Sequence, residues 1–435
     1  MNERSLLALI NDQAIGTLQE INGLWAFQYT DAWLNTPTRF PLSPHLPLTS
    51  HQLIDGATLR HVQWYFDNLL PEENQRILLA NDARLDTADA FGLLAYYGAE
   101  SAGSVTLLPP EFIQQPAGNL RPLADVTLSA RIRQMPKTPL THAAVKRMSL
   151  AGAQHKLAVV LEQGMLFEPV GAHPSTHILK PDHPDPDYPH SVANEWFVMR
   201  LARKIGLDVP LVHRRYVPEP VYLIDRFDRV PHKNHWQRRH VIDACQLLGL
   251  DRSFKYVQGS MDNLAALAKA CRSPAVARTR LFSWLVFNVL TGNGDAHLKN
   301  LSFIVSHEGI QLAPHYDLIS TACYDSRSFD KSGWPEQTTL AWPILNEQRF
   351  ANINQALLLD AGAKLNLAKT TAKRLLDNLR GRIVQAAEAL YAEVEAENDG
   401  LMAQRPELAA TLAGESRCIR AIVHVVIKDM AAKLV

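Results

Sequence analysis

The chain has 435 residues, 47% of them hydrophobic, and its 44 basic side chains balance 44 acidic ones. At about 150 residues per domain, that length predicts about three domains or large lobes with sizeable cores, and zero net charge excludes attraction to nucleic acid or a membrane surface through an overall field. Cys245, Cys271, Cys323 and Cys418 are scattered with no Cys-x-x-Cys pair, which argues against a disulfide framework or a structural zinc site. Leu6 to Ile10 is too short for a signal-peptide core and no later run reaches the length of a membrane span, so a reducing cytoplasm is the expected location.

In chain order, Leu6–Ile10, Ala14–Leu18 and Leu24–Tyr29, punctuated by Asn11-Asp12 and Asn22-Gly23, predict a small antiparallel meander. Pro71 with Glu72 and Glu73 predicts a helix whose first turn holds the proline. A second helix is expected over Ala88–Tyr97, ending at Gly98, and a strand over Ser104–Leu108. Residues 1–110 therefore read as an α+β module with no reactive constellation, suited to packing or partner binding. Residues 111–145 read as a linker with a helix near Leu123–Gln134.

Next come Arg147-Met-Ser149-Leu-Ala151-Gly152-Ala153-Gln154-His155-Lys156 and the strand Leu157–Leu161. A polar turn feeding a strand can lay backbone N–H groups on phosphate oxygens, but with one glycine and no Walker pattern it reads alone as a hairpin turn. Ser175–Lys180 predicts a strand whose Lys180 follows apolar residues, the placement by which a kinase lysine reaches nucleotide phosphates. Its partner carboxylate would be Glu195, on a helix from Ser191 to Lys204; a first-turn acid favoured by the helix dipole is the equal alternative. Four prolines between Pro181 and His190 predict an irregular surface loop. Val221–Asp225 running into Arg226, Phe227, Asp228 and Arg229 reads either as an edge strand with its turn or as a lobe-joining segment presenting its backbone to an adenine. From Asp243 to Leu290 the pattern is mainly helical. The tail predicts helices over Ile353–Ala361, Thr370–Val394 and Ser416–Lys433, broken near Asn398-Asp399-Gly400 and at Gly414.

The densest chemistry lies in Asn293-Gly-Asp295-Ala-His297-Leu-Lys299-Asn300, between the apolar run Leu281–Leu290 and the strand-like Leu301–Val305, with Asp317 following in Pro314-His-Tyr316-Asp317. Moving a γ-phosphoryl group needs a carboxylate at the attacking hydroxyl and oxygen ligands for Mg²⁺. Asp295 can be the first; Asn300 and Asp317 can supply the second. Asp295 precedes Asn300 by five residues, the interval that separates the catalytic Asp and metal-binding Asn of protein kinases. Mg²⁺ favours one or two carboxylates with an amide oxygen and phosphates. A plain turn would use Asp and Asn but has no need of His297, Lys299 and Asp317.

The residues also carry a resemblance. Ser149 to Lys156, Thr176-His-Ile-Leu-Lys180, Asn194-Glu195 with Gly206-Leu-Asp-Val-Pro210, Asp225-Arg-Phe-Asp-Arg229, Asp243-x-Cys-Gln246, Gly292-Asn-x-Asp295-x-His297-x-Lys299-Asn300 and Tyr316-Asp317-x-x-Ser320 resemble, in order, the motif set of the HipA family of serine/threonine kinase toxins. Phe66-Asp-Asn-Leu-Leu-Pro71-Glu and Gly98-x-Glu-Ser-Ala-Gly103 are similar to that family's N-terminal subdomain. The resemblance implies an α+β, two-lobed protein-kinase-like fold: residues 1–110 an N-terminal α+β subdomain, 111–229 an N-lobe-like region, 230–435 a mainly helical C-lobe. It implies Asp295 as catalytic base and Asn300 and Asp317 as Mg²⁺ ligands. ATP would be met by Ala151, Gly152, Ala153, Gln154, His155, Lys156 and Lys180, by a hinge of Asp225, Arg226 and Phe227, and by His297, Lys299 and Tyr316. Ser149 would be the autophosphorylation site, where roughly two added charges beside a phosphate-binding turn would repel ATP. A toxin of a type II toxin-antitoxin system is further implied. Its target would be a translation protein such as an aminoacyl-tRNA synthetase, its partner a small HipB-like DNA-binding antitoxin through which alone DNA is met, and no membrane is involved. A small-molecule phosphotransferase of kinase fold and a non-enzymatic corepressor are the competing readings.

Overall fold

The computed structural model describes residues 3–112, 118–142, 144, 146, 148, 150–233 and 235–435, and the chain forms two compact units. The first comprises Met1–Pro181, Leu223–Phe254 and Ser302–Ala313; the second comprises Asp182–Tyr222, Lys255–Leu301 and Pro314–Val435. Ser149 lies outside the described residues.

In the first unit the expected meander is present and longer than its apolar runs, with strands Glu3–Ile10, Gln13–Ile21 and Leu24–Tyr29. It belongs to a five-stranded sheet in which Val105–Leu108 pairs antiparallel with the first strand and Leu53–Ile54 with the third. Alternation directs Trp25 and Phe27 inward, where Trp25 meets Phe91 edge-on at 5.2 Å and Phe27 meets Phe66 at 5.5 Å. Phe66 lies on His61–Asp67, a helix absent from the sequence reading. The helix after Pro71 starts at Glu73 rather than at the proline. Pro71 instead forms a parallel bridge with Gly152, and the Glu72 N–H donates to the Gly152 carbonyl at 3.3 Å. The module thus reaches the turn that precedes the strand Leu157–Glu162. That strand pairs with Met165–Val170 on one side and His177–Pro181 on the other.

In the second unit, helix Ser191–Lys204 has the expected bounds and buries Trp196, Phe197 and Val198. Helix Pro274–Thr291 opens with proline in its first turn and ends on Gly292, whose φ of +65° suits the left-handed cap. Phe282, Trp284 and Phe287 on this helix are almost wholly buried, each contributing about 1.5–3 kcal/mol. The tail departs from the expected pattern. Lys369–Gln404 is one uninterrupted 36-residue helix that runs through Asn398-Asp399-Gly400, and Ala409–Ala421 runs through Gly414. Asn398 is buried and donates to Ser416 Oγ at 3.3 Å while Arg214 donates to its carbonyl at 2.7 Å, so side-chain anchoring overrides its turn preference. The break falls at Arg405, ahead of Pro406. Among the described residues no helix is long and apolar enough to cross a membrane.

Candidate active site

The loop holding Asp295 is set by a glycine cap and by side-chain hydrogen bonds to its backbone. The Gly292 cap is tight: a Cβ there would lie 2.6 Å from both Ala322 Cβ and Val426 Cγ1. Asn288, on the last turn of the helix, accepts from Asn293 Nδ2 at 2.8 Å, and Asn293 Oδ1 accepts the Asp295 N–H at 2.9 Å. Thr321 Oγ1 accepts the Gly294 N–H at 2.7 Å, and Trp342 Nε1 donates to the Ala296 carbonyl at 3.0 Å. The loop is thereby held from three separate segments.

Within this frame Asp295 is half-buried and accepts a hydrogen bond from the Tyr256 hydroxyl on Oδ1 at 2.7 Å. Asn300 is buried, and its Nδ2 donates to the Asp295 main-chain carbonyl at 2.9 Å. Because the amide nitrogen is committed there, Oδ1 is the atom left to act as a metal ligand. Lys299 presents its carbonyl to the Tyr316 hydroxyl at 2.8 Å, so the residues directly before Asn300 and Asp317 are joined. Asp317 has a φ of +52°, a left-handed conformation that Asp tolerates better than most side chains. Three residues on, Asn194 takes the Ser320 N–H on Oδ1 at 2.8 Å and donates Nδ2 to the Ser320 carbonyl at 2.9 Å. His297 is buried, its ring edge-on to Tyr256 at 5.0 Å. The half-buried Asp317 carboxylate and the Asn300 amide oxygen are donors of the type a hard cation such as Mg²⁺ takes.

The remaining predicted residues lie in the first unit. Gly152 has a φ of +107°, and Lys156 Nζ donates to the Ala151 carbonyl at 2.8 Å across the turn; a lysine folded onto a glycine turn suits phosphate oxygens. A narrow cleft between Pro71, Gln75 and Leu79 on one side and Leu150, Gln154 and Lys156 on the other joins this turn to the N-terminal module. Ala153 is half-buried, whereas His155 and Lys180 are buried, the latter on the strand His177–Pro181. Asp225 Oδ1 pairs with His177 Nε2 at 3.0 Å, and Phe227 is half-buried.

Arg226 is spoken for by its own unit. Its guanidinium donates to Asp228 at 2.7 and 2.9 Å, to Glu100 at 3.3 Å and to Ser175 at 3.0 Å. Glu100 also receives Lys146 at 2.9 Å, Arg229 at 2.8 Å and Arg238 at 2.8 Å. Complete burial works to raise the Glu100 pKa, yet Lys146, Arg238, Arg229 and Arg226 outweigh it and hold the carboxyl well below the usual range. Arg226 thus offers backbone rather than side chain to any ligand. Sequence reasoning did not single out Tyr256 or Thr321, since neither lies in a recognisable motif.

The HipA-like C-terminal domain matches residues 148–387, and the HipA N-terminal domain matches residues 6–108. The chain belongs to the HipA family. The serine/threonine-protein kinase toxin HipA of Shewanella oneidensis is 33% identical over 323 residues, covering 69% of this chain and 71% of that one. Y4mE of Sinorhizobium fredii, named only as a candidate kinase, is 32% identical over 421 residues, covering 92% of this chain and 95% of its own. The solved complex of Shewanella oneidensis HipA, HipB and operator DNA contains a chain that superposes with a TM-score of 0.76 at 27% identity, covering 99% of this chain and all of that one. The HipA-like α+β fold expected from the sequence is therefore the fold observed. Family motifs also acquire physical content: Asp243 and Gln246 form a reciprocal helix cap at 2.8 and 2.9 Å.

Proposed function

We propose that this protein is an ATP-dependent serine/threonine-protein kinase acting as the toxin of a toxin-antitoxin pair. The observation that carries the reading is the loop in which Asp295, fixed by Asn293, precedes by five residues an Asn300 whose amide nitrogen is held on the Asp295 carbonyl. Asp295 is the catalytic base, accepting the proton of the attacking hydroxyl; Asn300 Oδ1 and the Asp317 carboxylate would hold Mg²⁺, which would supply charge neutralisation on the transferring phosphoryl. Lys180 and the Ala151–Lys156 turn are assigned to the phosphates, Asp225 to Phe227 to the adenine, and His297, Lys299 and Tyr316 to the walls of the nucleotide pocket. Ser149 is assigned as the autophosphorylation site.

The family likeness supports a translation protein as target. That Shewanella oneidensis HipA is found with HipB and operator DNA supports a small DNA-binding antitoxin as partner, with DNA reached through it and the cytoplasm as location; zero net charge agrees. The test is induced expression of wild type, Asp295→Asn and Asp317→Asn while phosphate incorporation from labelled ATP is followed. Growth arrest and incorporation are expected to vanish together in both variants. Arrest that survives both substitutions would refute a kinase toxin and favour a corepressor.

A further inference from the structure

We propose that Lys255 and Tyr256 form a brace that orients the carboxylate of Asp295, with Tyr256 as a positioning residue for phosphoryl transfer; this rests on the reading of Asp295 as catalytic base. The segment touches the catalytic loop at three points. The Lys255 carbonyl accepts the Leu298 N–H at 3.1 Å, the Tyr256 hydroxyl donates to Asp295 Oδ1 at 2.7 Å, and the Tyr256 ring stands edge-on to His297 with centroids 5.0 Å apart. Lys255 is buried, with its ammonium 5.1 Å from the centre of the Tyr256 ring. A phenol that touched the base only through its hydroxyl could be a plug that swings away. One whose backbone neighbour and ring are both fastened to the same loop is a fixture.

The chemistry follows from how a carboxylate divides its oxygens. A phenol on Oδ1 fixes the carboxylate rotamer and leaves Oδ2 to face the acceptor. In the transfer, the acceptor hydroxyl gives its proton to Oδ2 while its oxygen bonds to the γ-phosphorus. The bond from that phosphorus to the β,γ-bridging oxygen breaks, and its electron pair leaves on ADP. Without the phenol the carboxylate can rotate, and productive alignment becomes a fraction of the population. Preorganisation of this kind acts on turnover rather than on nucleotide affinity.

The experiment uses the full-length protein with Mg·ATP labelled at the γ-phosphate, dephosphorylated casein as acceptor, and phosphate release to water measured in parallel, for wild type, Asp295→Asn, Tyr256→Phe and Tyr256→Ala. Tyr256→Phe, which deletes one oxygen, is expected to lower kcat about tenfold, with KM for ATP and the thermal midpoint unchanged. Tyr256→Ala, which also strips the ring from His297, is expected to fall further. If wild type transfers phosphate, Asp295→Asn does not, and Tyr256→Phe matches or exceeds wild type, the brace is refuted while the kinase reading stands. If wild type transfers phosphate to neither acceptor, or Asp295→Asn equals it, the kinase reading fails and the brace falls with it.

Discussion

Glu100 is buried among four cationic side chains, and replacing it by Gln tests whether the first unit depends on its charge. The substitution keeps the shape and removes the charge that Lys146, Arg226, Arg229 and Arg238 share, leaving Asp228 on Arg226 and Arg229 as the buried counter-ion of this cluster among the described residues. The side chains of Glu100, Arg226 and Arg229 are at most 1% exposed, so water cannot screen the surplus. Removing one partner of a buried pair costs about 3–5 kcal/mol, and for a unit of this size about 2–4 °C of midpoint is lost per kcal/mol. A fall of roughly 10 °C in the first unit's transition is therefore expected by scanning calorimetry. Glu20→Gln is the control: Glu20 pairs with Arg4, whose side chain is 38% exposed, and its loss should cost less than about 1 kcal/mol. The pH dependence has a definite sign. Glu100 has a folded pKa depressed below 4.5, so its contribution is complete above pH about 4.5 and disappears as pH falls through the depressed value. The variant should lose part of the acid sensitivity of wild type. A Glu100→Gln midpoint as close to wild type as that of Glu20→Gln would refute the reasoning.

Gly152→Ala places a Cβ in a backbone at φ +107° and 2.5 Å from Lys156 Nζ; nucleotide affinity measured by calorimetric titration should fall about tenfold at a stability cost of about 1 kcal/mol or more. Asn194→Ala removes the clamp on both backbone groups of Ser320, a loss of about 2–3 kcal/mol, and should raise the Mg²⁺ concentration needed for half-maximal phosphate transfer. Asp182 is pushed up to about 6 by burial, with Glu415 adding to the rise and the Val192 N–H opposing it. The cost of keeping it ionised is full above pH about 6 and gone below 3.8, so the second unit should gain stability on acidification across that window. Asp182→Asn should remove that gain, about 1 kcal/mol between urea melts at pH 7 and pH 5.

The elements legible in the sequence were those with a local cause. Helix Ser191–Lys204 follows a proline-rich loop and ends before Gly206, and Pro274–Thr291 carries both proline and glycine signals. The expected break at Asn398-Asp399-Gly400 failed because local preference lost to contacts with Arg214 and Ser416, which lie 184 and 18 residues away. Strands such as Arg229–His232 and His235–Arg238 were missed because their charged and histidine side chains show no apolar alternation. The Glu100 cluster was invisible for a different reason. Gly98-x-Glu100 and Asp225-Arg226 were both recognised as motifs, but their pairing spans 126 residues, and nothing local encodes a partner at that distance.

Candidate-site legibility divides along the same line. Asp295 and Asn300 could be read together because one short loop holds both and the Asn300 amide closes back on the Asp295 carbonyl. Asp317 could be suspected only from its neighbours, and the structure shows what those neighbours do. A non-glycine residue at φ +52° costs about 1–2 kcal/mol relative to an ordinary conformation, and such strain persists only where the surroundings over-determine it. Here Tyr316 ties the segment to Lys299 on one side, and Asn194 binds both backbone groups of Ser320 on the other. Three hydrogen bonds at about 1 kcal/mol each suffice to hold the strained carboxylate in place. Asn194 and Tyr316 therefore accompany the Asp295–Asn300 loop for a mechanical reason: without them Asp317 would relax out of its left-handed conformation.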